Sequence, residues 1–341
     1  MTLRQDYLQA EIIETIYFGG GTPSILTAEE IHQILKAVFQ TFPVHAHPEI
    51  TLEANPDDLS AARLQELKDT GVNRLSIGVQ SFFDDDLQFL HRVHTAHMAE
   101  RAIAQAQAAG FENLTIDLIY AIPTLTEKKW LANLQKIAEM HIPHFSAYCL
   151  TVEPNTALSK FIQEKKLPDV DEAAAAQHFE MLMAFAAEKE YEQYEISNFS
   201  KPGFQSKHNS AYWSGKKYLG LGPSAHSYNG SSRQWNKANT TLYIQAMESG
   251  SPFFEKEVLT VKDRFNEYVL TSLRTAQGAD ILFIEKTFGK VATTAFLKAA
   301  LPWIHENMMQ KVGTRVWLTP KGKLYADRII SQFFITEEPQ Q

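Results

Sequence analysis

Cysteine is almost missing from this chain: one residue of 341, Cys149, carries a thiol. A single thiol allows no internal disulfide, no cysteine-based zinc site and no iron–sulfur cluster held by this chain's thiolates alone. Long hydrophobic runs are missing too. No stretch of 18 apolar residues occurs, so no segment reads as a membrane span. The opening Met1-Thr-Leu-Arg-Gln-Asp-Tyr-Leu8 lacks the basic-then-apolar plan of a signal peptide. The protein therefore reads as soluble and cytoplasmic. Positive charge is in short supply, with 32 Lys+Arg against 40 Asp+Glu and a net charge of −8, so a partner held through nucleic-acid phosphates is not expected. What remains is an ordinary globular composition, 44% hydrophobic and 21% charged, which excludes disordered and collagen-like chains. It is enough for two domains, or one large α/β domain with an appendage.

From residue 15 to about 150, short β-branched or apolar runs alternate with segments of helical period. The strand candidates are Thr15–Phe18, Glu49–Glu53, Arg74–Gly78, Leu114–Ile119 and Phe145–Leu150, with centres 25 to 40 residues apart. A first helix opens on Thr27 with Glu30 at the third position, a capping box, and carries Ile31, Ile34, Leu35, Val38 and Phe39 on one face. Others are expected from Ser60 to Gly71, from about Met98 to Gly110, and from Thr126 through Ile137. Repeated βα units imply a parallel sheet, open or barrel-like. Polar residues near the ends of successive strands (Gly19-Gly20-Gly21-Thr22, Glu53, Gln80, Asp117) would converge on one face, as in a barrel active site. Beyond residue 150 come a helix from about Asp171 to Lys189 and a turn-rich, aromatic stretch containing Lys207–Gly215 and Leu219–Ser227. From about residue 256 follow helices, a hairpin over Lys311–Gly322 and a last helix through Arg328. That final piece suggests a small winged-helix-like domain. Its 12 basic and 9 acidic residues are too balanced to argue for DNA.

Several residues carry chemical meaning. Gly19-Gly-Gly-Thr-Pro-Ser24 follows a strand and precedes a helix, so its backbone can approach a carboxylate, an ammonium or a phosphate; the alternative is a tight βα turn. Glu53 closes the next strand and can accept from a ribose diol or serve as a surface carboxylate. Asp117 lies in an apolar strand and needs a partner, either Arg92 or a charged ligand. Gln80 can read a carboxylate or a ribose. His91, His94 and His97 have a metal-like spacing but no accompanying carboxylates, and read as an exposed loop-to-helix face. His208 and His226 sit among Tyr212, Trp213, Tyr218 and Tyr228, an environment for a porphyrin or a structural turn.

Taken in order, Gly19-Gly-Gly-Thr-Pro-Ser24, Glu53-Ala-Asn-Pro56, Asn73–Phe82, Ile116-Asp-Leu-Ile-Tyr120 and His208-Asn-x-x-Tyr-Trp213 resemble the HemN/HemW branch of the radical S-adenosylmethionine (SAM) proteins. The resemblance covers essentially the whole chain. It implies a partial (βα) TIM-like barrel over residues 1–165, a barrel extension and linking segment over 166–255 with the His-Asn-x-x-Tyr-Trp motif, and a C-terminal domain over 256–341. The branch holds both a haem chaperone and the oxygen-independent coproporphyrinogen III oxidase, which oxidatively decarboxylates propionates. The His-Asn-x-x-Tyr-Trp motif points to the chaperone, and the oxidase is the alternative. Carried over residue by residue, the resemblance puts Gly20, Gly21, Thr22, Glu53, Gln80, Arg92, Asp117 and Thr151 at SAM and His208 at haem, with His226 near the SAM region. It also implies a membrane protein that accepts haem as a partner. The departure is the family's Cys-x3-Cys-x2-Cys, whose three thiolates hold a [4Fe–4S] cluster; nothing like it occurs, and Cys149 stands alone on the fifth strand. The segment beginning at Leu3 reads as the tail of the family's first helix, so the first strand is expected to be missing, and the chain as written is expected not to cleave SAM.

Overall fold

The computed structural model describes residues 1, 4–154 and 156–336. Leu3, where the resemblance to a first helix begins, lies outside the described residues. The chain forms two compact units, one of Thr15–Ile34 and Glu49–Gln205, the other of Met1–Glu14, Leu35–Pro48 and Ser206–Gln341.

The βα repeat is realised as β1 (Ile13–Phe18), α1 (Ala28–Thr41), β2 (Val44–Ala54), α2 (Ala61–Asp69), β3 (Arg74–Gln80), α3 (Asp84–Phe89), α4 (Ala96–Ala108), β4 (Asn113–Tyr120), α5 (Glu127–Glu139) and β5 (His144–Cys149). After them come α6 (Ala157–Gln163), α7 (Glu172–Glu188), β6 (Glu192–Gln193) and β7 (Asn198–Ser200). The seven strands form one sheet in the order β1-β2-β3-β4-β5-β7-β6. Strands β2 to β5 run parallel, and β7 and β6 add antiparallel at the far edge. That edge was not legible in a sequence period, because strands of two or three residues are too short to show one.

Local signals account for the helix ends. The Thr27 N–H donates to Glu30 Oε2 at 2.7 Å and the Glu30 N–H returns to Thr27 Oγ1 at 3.2 Å, the capping box in full. Ser60, Thr95, Thr126 and Asp171 cap α2, α4, α5 and α7. Gly71 takes φ 100° just past α2, where a side chain would be strained.

Within the strands the period of two separates the sheet's faces. Leu52, Leu75, Ile77, Val79, Leu114, Ile116, Leu118 and Phe145 are buried with Leu64, Leu67, Ile103, Leu134 and Ile137 of the helices; each such side chain contributes about 1.5–3 kcal/mol. The alternate positions are polar: Thr51 and Glu53, Arg74 and Ser76, Thr115 and Asp117, His144 and Ser146. The sheet thus has one apolar face covered by helices and one polar face.

In the second unit, residues 4–11 form successive i→i+3 turns, Tyr7 N–H to Arg4 O, Gln9 N–H to Asp6 O and Glu11 N–H to Leu8 O, rather than the expected helix tail. Arg4 donates to Gln234 Oε1 at 2.6 Å and lies over the rings of Tyr7 and Phe254. After α8 (Lys207–Trp213), strands β8 (His226–Tyr228), β9 (Ser232–Asn236) and β10 (Phe254–Val258) make an antiparallel sheet, with α9 (Thr240–Glu248) between β9 and β10. The C-terminal piece comprises α10 (Val261–Leu273), β11 (Ala279–Asp280), α11 (Ile281–His305), β12 (Met309–Val312), β13 (Arg315–Leu318), α12 (Pro320–Lys323) and α13 (Ala326–Ser331). Helix α11 is two helices broken at Gly289, with φ 86° and ψ 173°. Helices around the three-stranded sheet β11-β13-β12 give the expected winged-helix-like arrangement. The hairpin ends at Leu318, and Pro320–Lys323 turn into helix, because Pro fits the first helical position behind a Thr319 cap.

Candidate functional site

The polar residues at the strand ends come together as the alternation requires. At the exit of β1 the backbone enters the left-handed region twice, at Gly20 (φ 79°) and Gly21 (φ 67°). A Cβ on either would meet nothing within 4 Å, so these glycines serve the turn and not a lack of room. The loop is then pinned from α2 and the turn that precedes it. The Ser24 hydroxyl donates to Asp58 Oδ2 at 2.5 Å, and the Arg63 guanidinium donates to the carbonyls of Ser24 and Leu26. Thr22 immediately precedes the 3₁₀ turn Pro23–Ile25.

Glu53, at the end of β2, accepts from the Tyr17 hydroxyl at 2.7 Å and from the Gly20 N–H at 3.0 Å, so its carboxylate is already turned toward the glycine loop. Burial, then the neighbouring Glu53 charge, drives the Tyr17 phenol pKa far up, which keeps it a hydrogen-bond donor. Gln80 closes β3 in a left-handed conformation, φ 69°, where the register with β4 slips. Its amide folds back over Gly78, close enough that a Cβ there would meet Nε2 at 2.9 Å. Such strain in a non-glycine residue costs about 1–3 kcal/mol and is concentrated at functional sites. Asp117 of β4 accepts from Ser76 Oγ at 3.3 Å. Burial pushes its carboxyl up to about 6; the Ser146 hydrogen bond opposes this, the Glu53 charge adds to it, and Ser76 and Arg74 oppose it.

A buried polar layer lies on the same face toward the strand starts. Arg74, 2% exposed, donates to Asn113 Oδ1 at 2.5 Å, and His144 joins Thr115 Oγ1 (2.5 Å) to Tyr194 OH (2.7 Å). Burial and the Arg74 charge hold His144 well below its ordinary pKa. Thr51 Oγ1 and Arg74 Nε, paired across β2 and β3, are buried without a partner among the described residues.

Behind the strand ends a second network holds the turns. Asp86, fully buried, accepts from Ser81 Oγ (2.8 Å), Thr124 Oγ1 (2.6 Å) and Lys129 Nζ (3.1 Å). Asn133 accepts from the Phe82 N–H and donates to Ser81 Oγ. Past β4, Ala121 (φ 61°) donates its N–H to His178 Nδ1 at 3.2 Å. Strained backbone thus follows both β3 and β4, and each exit is tied down by buried hydrogen bonds.

Other residues singled out in the sequence fall differently. Arg92 is exposed between α3 and α4, and the cation that acts on Asp117 is Arg74, which pairs with Asn113 four residues toward the strand start. Thr151 is exposed just past β5, its hydroxyl 3.4 Å from Cys149 O. Of the three histidines, His91 and His97 are exposed, while His94 is buried, with Nε2 on Val79 O at 3.0 Å. Cys149 is exposed, and among the described residues no three His, Cys, Asp or Glu gather as a metal site. This chain's donor set does not fit a thiolate-held cluster. The polar strand ends do fit a nucleoside with a charged tail, through the backbone of the glycine loop and the carboxyl groups of Glu53 and Asp117.

In the other unit His208 sits in the first turn of α8, under the Ser206 cap. Burial brings its pKa down to about 4, so the imidazole is neutral at physiological pH. Its ring meets Tyr212 edge-on at 5.1 Å, Tyr212 leans on Tyr218 at 4.6 Å, and Trp213 Nε1 is buried with no partner among the described residues. His226 is exposed and lies on Trp235 at 6.3 Å. Sequence reasoning missed Tyr17, Ser76, Ser146 and Arg63. Tyr17 stands at period two with Gly19 and Ser76 with Gln80, and that period was the available signal for both.

The radical SAM superfamily model matches residues 4–137. The chain is similar to the protein named heme chaperone HemW of Bacillus subtilis, 33% identical over 94% of this chain and 85% of that protein. It is 32% identical to HemW of Lactococcus lactis over 96% of this chain and 86% of that one. Among solved structures it is similar to coproporphyrinogen III oxidase HemN of Escherichia coli, with a TM-score of 0.81, 23% identity, and coverage of 98% of this chain and 82% of that one. At that identity the likeness establishes the shared fold.

Proposed function

This chain belongs to the HemW family of radical SAM proteins, and from that premise we propose that it is a haem chaperone, with haem as cargo at His208 and SAM at the polar strand ends of its barrel. The observation that carries the haem reading is His208 itself. A neutral imidazole keeps a nitrogen lone pair for iron, where a protonated ring has none. Tyr212 meets it edge-on and fixes the ring's plane, and the orphaned Trp213 N–H is a donor that a porphyrin carboxylate would satisfy. Gly20, Gly21 and Thr22 would face the amino-acid end of SAM, Glu53 its ribose, and Gln80, Asp117, Arg92 and Thr151 the remainder. The acidic pair Glu53 and Asp117 suits a sulfonium cation. When a cluster is present in a radical SAM protein it supplies the electron that cleaves SAM; the thiolates to hold one are not among this chain's residues. A membrane haem acceptor is the downstream partner this reading implies. No helix among the described residues is long and apolar enough to cross a membrane. Titration of haem into the wild-type chain and His208→Ala, followed by the Soret band, tests the proposal. Loss of the Soret shift in the variant is expected; equal affinity overturns the assignment. Turnover of coproporphyrinogen would overturn the chaperone reading in favour of an oxidase.

A further inference from the structure

Tyr17 and Gly19 are two residues apart on β1 and its exit, so they share a face. The Tyr17 ring lies across the bare α-carbon of Gly19. A Cβ built there would meet Tyr17 Cε1 at 2.5 Å and Cδ1 at 2.9 Å, and Glu53 Oε1 at 3.0 Å. Gly19 therefore differs from its two neighbours: Gly20 and Gly21 are needed for their φ angles, Gly19 for the close approach of a ring and a carboxylate. The outcome is a carboxylate gripped at both oxygens, Oε1 by the Tyr17 hydroxyl and Oε2 by the Gly20 N–H.

We infer that Tyr17 is a positioning residue for nucleoside recognition, folding over Gly19 to hold the Glu53 carboxylate in the one orientation that reads a vicinal diol. The inference rests on the reading of Glu53 as the ribose contact. Each carboxylate oxygen has more than one acceptor direction, so with one direction on each taken by Tyr17 and Gly20, each oxygen keeps another, a number that matches two adjacent hydroxyls. A freely rotating glutamate would have to be ordered by the ligand, at the ligand's expense in affinity. Tyr17 also faces Asp117 and Tyr148 across the sheet. Beside these acidic neighbours the phenol stays protonated.

The test is calorimetric binding of S-adenosylhomocysteine and its 2′-deoxy counterpart to the wild-type chain, Tyr17→Phe, Gly19→Ala and Glu53→Ala, with thermal midpoints recorded for each. Wild type is expected to prefer the diol ligand. Tyr17→Phe is expected to lose about tenfold in affinity for it, the scale of a hydrogen bond to a charged group, while its affinity for the deoxy ligand stays put, so the preference collapses. Gly19→Ala is expected to reproduce the collapse by pushing the ring off. A Tyr17→Phe variant that keeps the wild-type preference, or that weakens both ligands equally, overturns the positioning role. If Glu53→Ala also keeps the preference, or wild type binds neither ligand, the ribose reading of Glu53 falls and the inference with it. Loss of preference in Glu53→Ala alone refutes only the part assigned to Tyr17.

Discussion

Asp117→Asn gives the sharpest test of the barrel face. In the unfolded chain this carboxyl titrates near its ordinary 3.8, and in the folded chain burial and the Glu53 charge raise it to about 6. The folded state therefore binds the proton more tightly, and the stability this confers is complete below pH 3.8 and lost as pH rises through 6. That difference between the folded and unfolded carboxyl is worth about 3 kcal/mol once both states are ionised. Asparagine removes the buried charge and keeps one oxygen to accept from Ser76 or Ser146, at a cost of about 1 kcal/mol for the acceptor lost. Urea denaturation at pH 7.5 should find the variant more stable than wild type by about 2 kcal/mol, and at pH 4.5, where wild type is mostly protonated in the folded state, the two should be within about 1 kcal/mol. A difference that does not change with pH, or a variant less stable at pH 7.5, would refute the account of Asp117 as a carboxylate held at a loss. The same variant should bind S-adenosylmethionine more weakly, since the charge that destabilises the empty face is the one that attracts a cation.

Lys129→Met removes the ammonium beside the fully buried Asp86 and should destabilise the chain by about 3–5 kcal/mol in chemical denaturation, with Asp86→Asn in the same background recovering most of it. Gln80→Gly relieves the φ of 69° and should raise stability by about 1 kcal/mol while lowering affinity for adenosyl ligands, since the amide is lost. Haem affinity at His208 should be flat from pH 8 to about 5 and fall only toward pH 4, because burial keeps the folded-state imidazole neutral to about 4. A midpoint near 6.5 in the Soret titration would show that the ring binding iron is not this buried one.

Much of the barrel was open to reading because its signals are local or strictly periodic. Thr27 with Glu30, Ser60 before Leu64 and Leu67, and Gly71 after them each determine a helix end by a hydrogen bond or a φ angle within four residues. The site was open in part for the same reason, since Glu53, Gln80 and Asp117 stand where strands stop. The partners of those residues are another matter. Asp117 is held by Ser76 and Ser146 and feels Arg74, all supplied by strand pairings that bring residues 29 to 43 positions apart into contact, and no spacing in the sequence selects these over Arg92. The break in α11 is likewise hidden, because Gly289 sits in a continuous apolar period and only its φ of 86° reveals the corner.

The two ends of the barrel strands differ in what their groups have left to do. At the N-terminal end a cavity of about 580 Å³ is bounded by Phe111, Ile142, Tyr191 and Phe204, and its carbonyls are already taken: Met140 O by Gln107, Ile142 O by the Tyr191 hydroxyl, and Lys189 O by Lys201. Those three carbonyls are satisfied and add stability. At the other end the chain holds two left-handed non-glycine residues, Gln80 and Ala121, and a carboxyl that burial pushes up to about 6, Asp117. Strained turns and a displaced acid lower the stability of a fold, and these three lie together, on and beside the exits of the adjacent strands β3 and β4. The buried ties of Asp86, Asn133 and His178 hold those costly conformations in place. Stabilising contacts here maintain strained conformations, as the ligand proposed for the C-terminal end of β1 to β4 would require.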